Sequence, residues 1–278
     1  MTRVAVIQMA MGEDVHENVG RAGQLVAEAA KQGAQLALLP ELFSSLYFPA
    51  RPDPSHFRLA SPPERDEAVQ AMRVLAATHA MVLPVSYFER DGERYYNSVI
   101  VFDADGRELG RYRKTHIPDG PGYEEKTFFA PGDTGFLVFD TRAGRIGVGI
   151  CWDQWFPECA RAMTLLGADL LLYPTAIGNE PKRPEVDTQA PWRRVMVGHA
   201  VANTIPVMAS NRVGDEHGQT FYGGSFVCDA RGDLAVDMGR VEEGVRTVEL
   251  DLDGMRKERA WWALLRDRRP EMYGKLVE

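Results

Sequence analysis

Apolar residues recur along the chain with two different periods, and these predict alternating strands and helices. Short apolar runs at residues 3–9 and 36–39 predict buried strands. Between them, residues 15–30 carry apolar side chains along one face, which is typical of an amphipathic helix that Asp14 would cap. A strand, a helix and a second strand in this order form a βαβ-like unit, so the chain begins as an α/β protein.

The rest of the chain continues the same alternation, with Asp-Gly turns between several of the strands. Two long segments are predicted as loops, residues 44–63 with five prolines and residues 114–133 rich in Gly and Pro, and a loop as long as the first is often functional. Further strands are predicted at residues 81–88, 97–102, 108–113, 135–140, 145–150, 169–174, 206–210 and 245–250. Further helices are predicted at residues 64–79, 156–166 and 191–203 and from residue 252 onward.

The second half of the chain repeats features of the first. The Gly-Ala start and apolar-Pro end of residues 33–40 return at 167–174, and residues 98–107 resemble 225–233. Two similar halves predict a single domain over residues 1–278, in which two mixed sheets pack face to face with helices outside. The expected fold is therefore a four-layer αββα sandwich with pseudo-twofold symmetry. The charged tail, residues 264–278, is expected to dock on the surface or on another subunit.

Composition narrows the possible partners. The formal net charge is −8 and no dense Lys/Arg stripe occurs, which argues against binding to nucleic acid or to an anionic membrane. No apolar run approaches the roughly 18 residues that a membrane span needs. The first ten residues resemble a strand rather than a secretion signal. The charge and the apolar pattern are compatible with a small-molecule ligand as the partner.

The cysteine and histidine content bears on location and cofactors. Three cysteines are an odd number at low density, which favours a reducing cytosol over a disulfide scaffold. The six histidines are scattered without the spacing of metal ligands. We therefore expect a cytoplasmic protein without a metal or another cofactor.

Three reactive side chains follow three predicted strands: Glu41, Lys114 and Cys151. Strand ends at one edge of an α/β sheet converge on a crevice where ligands bind. Cysteine needs a base to become a thiolate, a carboxylate supplies one, and a lysine beside both steadies a developing oxyanion. Cys151 would lie exposed where a strand turns into a helix, near the positive end of the helix dipole. Taken singly, these residues are also compatible with a loop carboxylate, a surface lysine and a small buried hydrophobe.

Taken together, Leu-Leu-Pro-Glu41, Arg-Lys114 and Gly-Ile-Cys151-Trp-Asp resemble the motifs of the nitrilase, or carbon–nitrogen hydrolase, superfamily. The resemblance covers nearly the whole chain and implies the αββα sandwich. It also implies that Glu41 is the general base, Lys114 the oxyanion-stabilising cation and Cys151 the nucleophile. The further glutamate that the family often carries between the lysine and the cysteine corresponds to Glu125, with Glu124 as its neighbour. Homo-oligomers are expected on the same ground.

Longer motifs around residues 114–126, 151–158 and 173–178 resemble one branch, the N-carbamoylputrescine amidases. That branch hydrolyses a ureido compound to putrescine, CO2 and ammonia in polyamine biosynthesis from agmatine. The open alternatives are a β-ureidopropionase, a D-amino-acid carbamoylase or an ω-amidase, and, from another class, a non-catalytic binding protein. A substrate with a distal ammonium needs an anion or an aromatic box. The candidate substrate-binding residues are Trp152, Glu180, Tyr47, His116, Asp153 and Asp119, with Glu180 favoured for the ammonium.

Overall fold

The computed structural model describes residues 1–278, which fold into fourteen strands and five α-helices. The strands are β1 (Thr2–Gln8), β2 (Leu36–Leu38), β3 (Leu83–Asp91), β4 (Arg94–Phe102), β5 (Glu108–Arg113), β6 (Val138–Thr141), β7 (Gly144–Val148), β8 (Leu170–Thr175), β9 (Val207–Asn211), β10 (Val213–Glu216), β11 (Gln219–Tyr222), β12 (Phe226–Cys228), β13 (Leu234–Asp237) and β14 (Gly244–Leu250). The helices are α1 (Val15–Lys31), α2 (Glu67–His79), α3 (Pro157–Leu165), α4 (Gln189–Asn203) and α5 (Leu252–Trp262).

Two mixed sheets carry most of the strands, and their topologies match. One sheet has the order β13-β12-β9-β8-β7-β6. The other is built from β14-β1-β2 and β3-β4-β5, which are joined where Val82 N donates to Gln35 O at 2.9 Å and Ala37 N donates to Val82 O at 3.2 Å. In each half, a βαβαβ unit is followed by two antiparallel strands, and one further strand closes the other edge. This equivalence is the pseudo-twofold symmetry that the repeated motifs predict.

Three apolar clusters separate the four layers. The central cluster joins side chains of both sheets, among them Val6 and Leu38 from one sheet and Val148 and Leu172 from the other. A second cluster packs α1 and α2 on the outer face of the first sheet, and a third packs α3 and α4 on the outer face of the second. Burial of these apolar faces is the main driving force that holds the layers together. The predicted αββα sandwich is confirmed.

The predicted elements agree with the observed ones except at their ends and at β10 to β13, for which no strand was predicted. Asp14 caps α1 as expected, since its carboxylate accepts a hydrogen bond from Glu17 N at 3.0 Å. The loop over residues 44–63 contains short 3-10 turns rather than a regular helix or strand. The β10–β11 hairpin has no counterpart in the prediction, and it lies over the loop that carries Tyr47, because Glu216 accepts a hydrogen bond from Tyr47 N at 2.6 Å.

The carboxyl-terminal tail after α5 forms two short 3-10 turns, Pro270–Met272 and Gly274–Val277, and nearly all of its residues are exposed. Trp261 and Trp262, at the end of α5, are 79% and 54% exposed. Docking of this tail on another subunit stays a prediction. None of the helices is long and apolar enough to cross a membrane.

Candidate active site

Cys151 lies at the point where β7 has ended and a short 3-10 turn, Cys151–Trp155, begins. Its φ of +43° is a left-handed backbone conformation that a non-glycine residue adopts only at some cost. Two sequence expectations need correction here. The 3-10 turn separates the cysteine from α3, so its sulfur is not at the amino terminus of that helix, and the residue is buried (4% exposed) rather than exposed. The thiol donates a hydrogen bond to Ala176 O at 3.7 Å.

Glu41 follows β2 and is fixed by its main chain as well as by its carboxylate. Its N–H donates to Thr175 O at 3.3 Å, and Nη2 of the buried Arg212 donates to its carbonyl oxygen at 2.8 Å. In the side chain, Oε1 accepts from Lys114 Nζ at 2.9 Å and from Asn97 Nδ2 at 2.6 Å. The other carboxylate oxygen, Oε2, is buried and has no hydrogen-bond partner in the protein.

Lys114 follows β5 and is fully buried between two carboxylates. Its Nζ lies 2.9 Å from Glu41 Oε1 and 2.7 Å from Glu125 Oε2. Burial disfavours the charged ammonium, but the charges of Glu125 and Glu41 outweigh it and raise the pKa of Lys114. The side chain is therefore a permanently charged cation inside the protein. Lys114 is therefore not the exposed surface lysine that the local sequence Arg-Tyr-Arg-Lys also allowed.

Glu125 opens a 3-10 turn and completes the buried charge cluster, whereas Glu124 is half-buried and accepts from Gly122 N at 3.0 Å. The carboxylate of Glu125 accepts from Lys114 Nζ with both oxygens and from Tyr47 OH at 2.5 Å. Burial, opposed by Lys114 and assisted by Glu41, raises the pKa of Glu125 to about 7. Such a carboxyl group is able to hold or release a proton near neutral pH.

The electrostatics at Cys151 favour the neutral thiol in the resting protein. Burial, together with the charge of Glu41, raises the pKa of the Cys151 thiol well above its ordinary value, while Lys114 opposes the shift. The thiol therefore needs a base that takes its proton as the sulfur attacks. A buried carboxylate with one unpartnered oxygen, beside a fixed cation, supplies the groups that nucleophilic catalysis at a carbonyl carbon requires.

A cavity of about 150 Å³ lies against Cys151 and Glu125. Its acidic side chains are Asp119, Glu125 and Glu180, and none of its 11 lining residues is Lys, Arg or His. Trp152 and Glu180, both proposed from the sequence as substrate-binding residues, belong to this lining, and burial raises the pKa of Glu180. The remaining lining residues are Pro118, Gly120, Pro121, Tyr123, Ala176 and Ile177.

Three residues that were predicted from the sequence to bind substrate do not line this cavity. Asp153 is fully buried, and its oxygens accept from Tyr112 OH at 2.7 Å, from Ile150 N at 2.9 Å and from His116 N at 3.0 Å. His116 stacks on Phe156 with 3.6 Å between the ring centroids. Both side chains are thus engaged in holding the turn at Cys151, which corrects their assignment.

Tyr47, the third of these residues, faces Glu125 and lines a separate cavity of about 420 Å³. The Tyr47 hydroxyl donates to the Glu125 carboxylate. Tyr47 therefore supports the charge cluster and does not contact a ligand in the smaller cavity.

Asn97, Arg212 and Ala176 were not predicted as site residues from the sequence. Asn97 and Ser98 come directly before the apolar run 99–102, and Arg212 lies in a segment without a regular pattern. Two polar residues between apolar residues of one strand are the signal that could have marked Asn97 as a buried hydrogen-bonding residue.

Comparison with known proteins identifies the family. A profile described as Carbon-nitrogen hydrolase matches residues 3–260. The chain belongs to the carbon–nitrogen hydrolase family. It is therefore an enzyme that acts on amides, as the motifs predicted.

Relatives of this carbon–nitrogen hydrolase extend over its whole length. It is 48% identical to the N-carbamoylputrescine amidase of Solanum lycopersicum, over 100% of this chain and 95% of the relative. It is 46% identical to the citrullinase of Francisella tularensis subsp. tularensis, over 99% of this chain and 98% of the relative. The crystal structure of a carbon–nitrogen hydrolase from Helicobacter pylori G27 superposes with a TM-score of 0.93 at 37% identity, covering 100% and 98% of the two chains.

Proposed function

We propose that this carbon–nitrogen hydrolase converts N-carbamoylputrescine to putrescine, CO2 and ammonia through an intermediate bound to Cys151. The observation that carries the proposal is the charge of the cavity beside the thiol, where Asp119, Glu125 and Glu180 are the only ionisable side chains besides Cys151 and Tyr123. An acidic, partly apolar cavity suits a chain that ends in an ammonium group. The similarity to plant N-carbamoylputrescine amidases supports the same substrate.

In the proposed first half-reaction, Glu41 takes the thiol proton as the Cys151 sulfur attacks the ureido carbon. The negative charge that develops on the ureido oxygen is stabilised by Lys114 and by the Trp152 N–H, which lies in the first turn of a 3-10 helix. The tetrahedral intermediate then loses one of its two amines, which leaves with a proton from Glu41 or from Glu125; in the second case Glu41 passes the thiol proton on to Glu125, so Glu41 is ionised again. The carbonyl carbon stays on the sulfur.

In the second half-reaction, Glu41 takes a proton from a water molecule that attacks the sulfur-bound carbonyl. The carbon–sulfur bond breaks, and the thiol recovers its proton. The released carbamic acid loses CO2 and frees the second amine. One water molecule is consumed for each ureido group, and putrescine, ammonia and CO2 are formed in equal amounts.

Citrulline is the second candidate substrate, because a relative of comparable identity is a citrullinase. Citrulline carries the same ureido group, but its other end bears a carboxylate beside the amine. A buried carboxylate requires a cationic partner, and none of the 11 residues that line the cavity is cationic. The same reasoning disfavours β-ureidopropionate and N-carbamoyl-D-amino acids.

A substrate panel tests the proposal. Ammonia release is measured with N-carbamoylputrescine, citrulline, β-ureidopropionate and N-butylurea, which has the ureido group but no distal charge. The expected order of kcat/KM places N-carbamoylputrescine first, N-butylurea next and the two carboxylates last. A kcat/KM for citrulline above that for N-carbamoylputrescine would assign the enzyme to the second candidate.

We also propose that the enzyme works as a homo-oligomer in the cytoplasm. The exposed apolar residues of the carboxyl-terminal region, among them Trp261, Trp262 and Val277, support an intersubunit contact. Light scattering after size-exclusion chromatography tests this, with a double substitution of Trp261 and Trp262 by Ser expected to lower the molar mass. A monomeric wild-type protein would refute the proposal.

A further inference from the structure

Asn97 touches both charged residues of the cluster that were proposed as base and cation. It lies in β4 and is fully buried. Its side-chain amide Nδ2 donates to Glu41 Oε1 at 2.6 Å. Its main-chain oxygen accepts a hydrogen bond from Lys114 N at 2.9 Å. One residue of the sheet thus contacts the side chain of Glu41 and the main chain of Lys114, which follow different strands.

The contact makes the two oxygens of the Glu41 carboxylate inequivalent. Oε1 accepts two hydrogen bonds, from Asn97 and Lys114, whereas the buried Oε2 has no partner in the protein. Leaving a buried charged acceptor without a partner is costly, so an atom of this kind in a native site calls for a functional explanation. The free oxygen is available to a proton donor that joins it during the reaction.

Lys114 by itself would fix the Glu41 carboxylate poorly. Its ammonium is a compact charge on a flexible stem, and it also bonds both oxygens of Glu125. The amide of Asn97, on β4, adds a directed donor without adding a charge, and its own Oδ1 is buried without a hydrogen-bond partner. This donor occupies one oxygen of the Glu41 carboxylate and leaves the other free to accept a proton.

We propose that Asn97 is a positioning residue that holds Oε1 of Glu41, so that Oε2 is the atom that exchanges the proton with the Cys151 thiol. The inference rests on the proposed function, in which Glu41 is the base. In the step concerned, the S–H bond breaks and the O–H bond forms on Oε2. The sulfur electron pair forms the bond to the ureido carbon, and the C=O π electron pair moves to the ureido oxygen.

Two substitutions at this position test the inference. Asn97→Leu removes the donor, so kcat is expected to fall roughly ten- to hundredfold, the range for a lost hydrogen bond to a charged group. KM is expected to stay unchanged, because Asn97 does not line the cavity. Asn97→Asp keeps the size but places a carboxyl group 2.6 Å from Glu41 Oε1. Carboxylates this close share one proton, and the protonated Asp is able to donate to Oε1 as the amide does.

The pH profile separates positioning from mere packing. In Asn97→Asp, kcat is expected to be highest at low pH and to fall as rising pH removes the shared proton, so the optimum moves below that of the wild type. Asn203→Leu serves as the matched control. Asn203 is also a buried asparagine with one amide donation, to His199 O at 2.8 Å, and its replacement is expected to leave the profile unchanged.

The Glu41→Gln variant distinguishes the two levels of the proposal. Full turnover in Glu41→Gln would refute the proposed function and, with it, the role of Asn97. If Glu41→Gln is inactive while Asn97→Asp keeps the wild-type optimum and rate, only the role of Asn97 is overturned. Circular dichroism checks the fold of each variant, and Asn97→Asp alone decides should Asn97→Leu fail to fold.

Discussion

The ammonium nitrogen of Lys114 lies 2.8 and 2.7 Å from the two carboxylate oxygens of Glu125, and both side chains are fully buried. Glu41 shares the same ammonium at 2.9 Å. Two carboxyl groups and one ammonium group therefore lie together, buried in the protein. The same charges contribute to the stability of the fold and to the proposed catalysis.

Replacing Lys114 by Met is expected to destabilise the protein and to abolish turnover. Removal of one member of a buried ion pair costs about 3–5 kcal/mol, because the remaining charge stays buried without its partner. The free energy of unfolding in urea measures the effect. Lys126→Met is the matched control, since Lys126 is exposed on the same turn as Glu125. Equal stabilities of the two variants would contradict the buried ion pair.

Glu125→Gln is expected to change how stability depends on pH. The pKa of Glu125 is raised in the folded state from 4.5 to about 7. Between these values the folded protein holds a proton that the unfolded chain has released, so this group's contribution to stability is lost as the pH rises through that window. The unfolding free energy of the wild type minus that of Glu125→Gln should therefore fall from pH 4.5 to pH 7. A constant difference would argue against a raised pKa.

Tyr47→Phe is expected to lower the stability of the protein, because Glu125 loses a hydrogen bond. The hydroxyl donates to Glu125 Oε1 at 2.5 Å, and a hydrogen bond to a charged group contributes about 1.5–3 kcal/mol. Tyr87→Phe provides the comparison, because the buried hydroxyl of Tyr87 has no partner and its removal should cost little. Thermal and urea unfolding of the two variants measure the contrast. A larger loss for Tyr87→Phe would overturn the assignment.

Glu180→Gln is expected to raise KM for N-carbamoylputrescine about tenfold or more, because the distal ammonium loses a charge-assisted partner. KM for N-butylurea, which has no ammonium, should not change. Glu185→Gln, an exposed glutamate on the same loop, should leave both values as in the wild type. An unchanged KM for N-carbamoylputrescine in Glu180→Gln would remove Glu180 from the ammonium site.

Much of the fold was predictable because burial leaves a local pattern in the sequence. The apolar run that ends at Ile150 and the cap at Asp14 are both signals of this kind, and the repeated motifs predicted the matching topology of the two sheets. The β10–β11 hairpin escaped prediction because its polar residues carry no alternating pattern.

The candidate site was predictable only in part. Strand ends identified Glu41, Lys114 and Cys151 as candidates that could converge, but their burial depends on which strands become neighbours. The contacts of Asn97, Asp153 and His116 depend on the same tertiary pairing, so the sequence could not separate a residue that supports the site from one that lines it. The 3-10 turn that begins at Cys151 has the local sequence pattern of a helix start. The prediction therefore placed the thiol wrongly at the amino terminus of α3.

Cys151 is proposed as the nucleophile that hydrolyses a ureido substrate ending in an ammonium group. The most direct measurement quantifies putrescine and ammonia released from N-carbamoylputrescine by the wild type and by Cys151→Ala. We expect equal amounts of the two products from the wild type and none from the variant. If purified, folded Cys151→Ala released both products at the wild-type rate, Cys151 would not be the nucleophile. If the wild type hydrolysed citrulline but released no putrescine from N-carbamoylputrescine, the proposed substrate would be wrong.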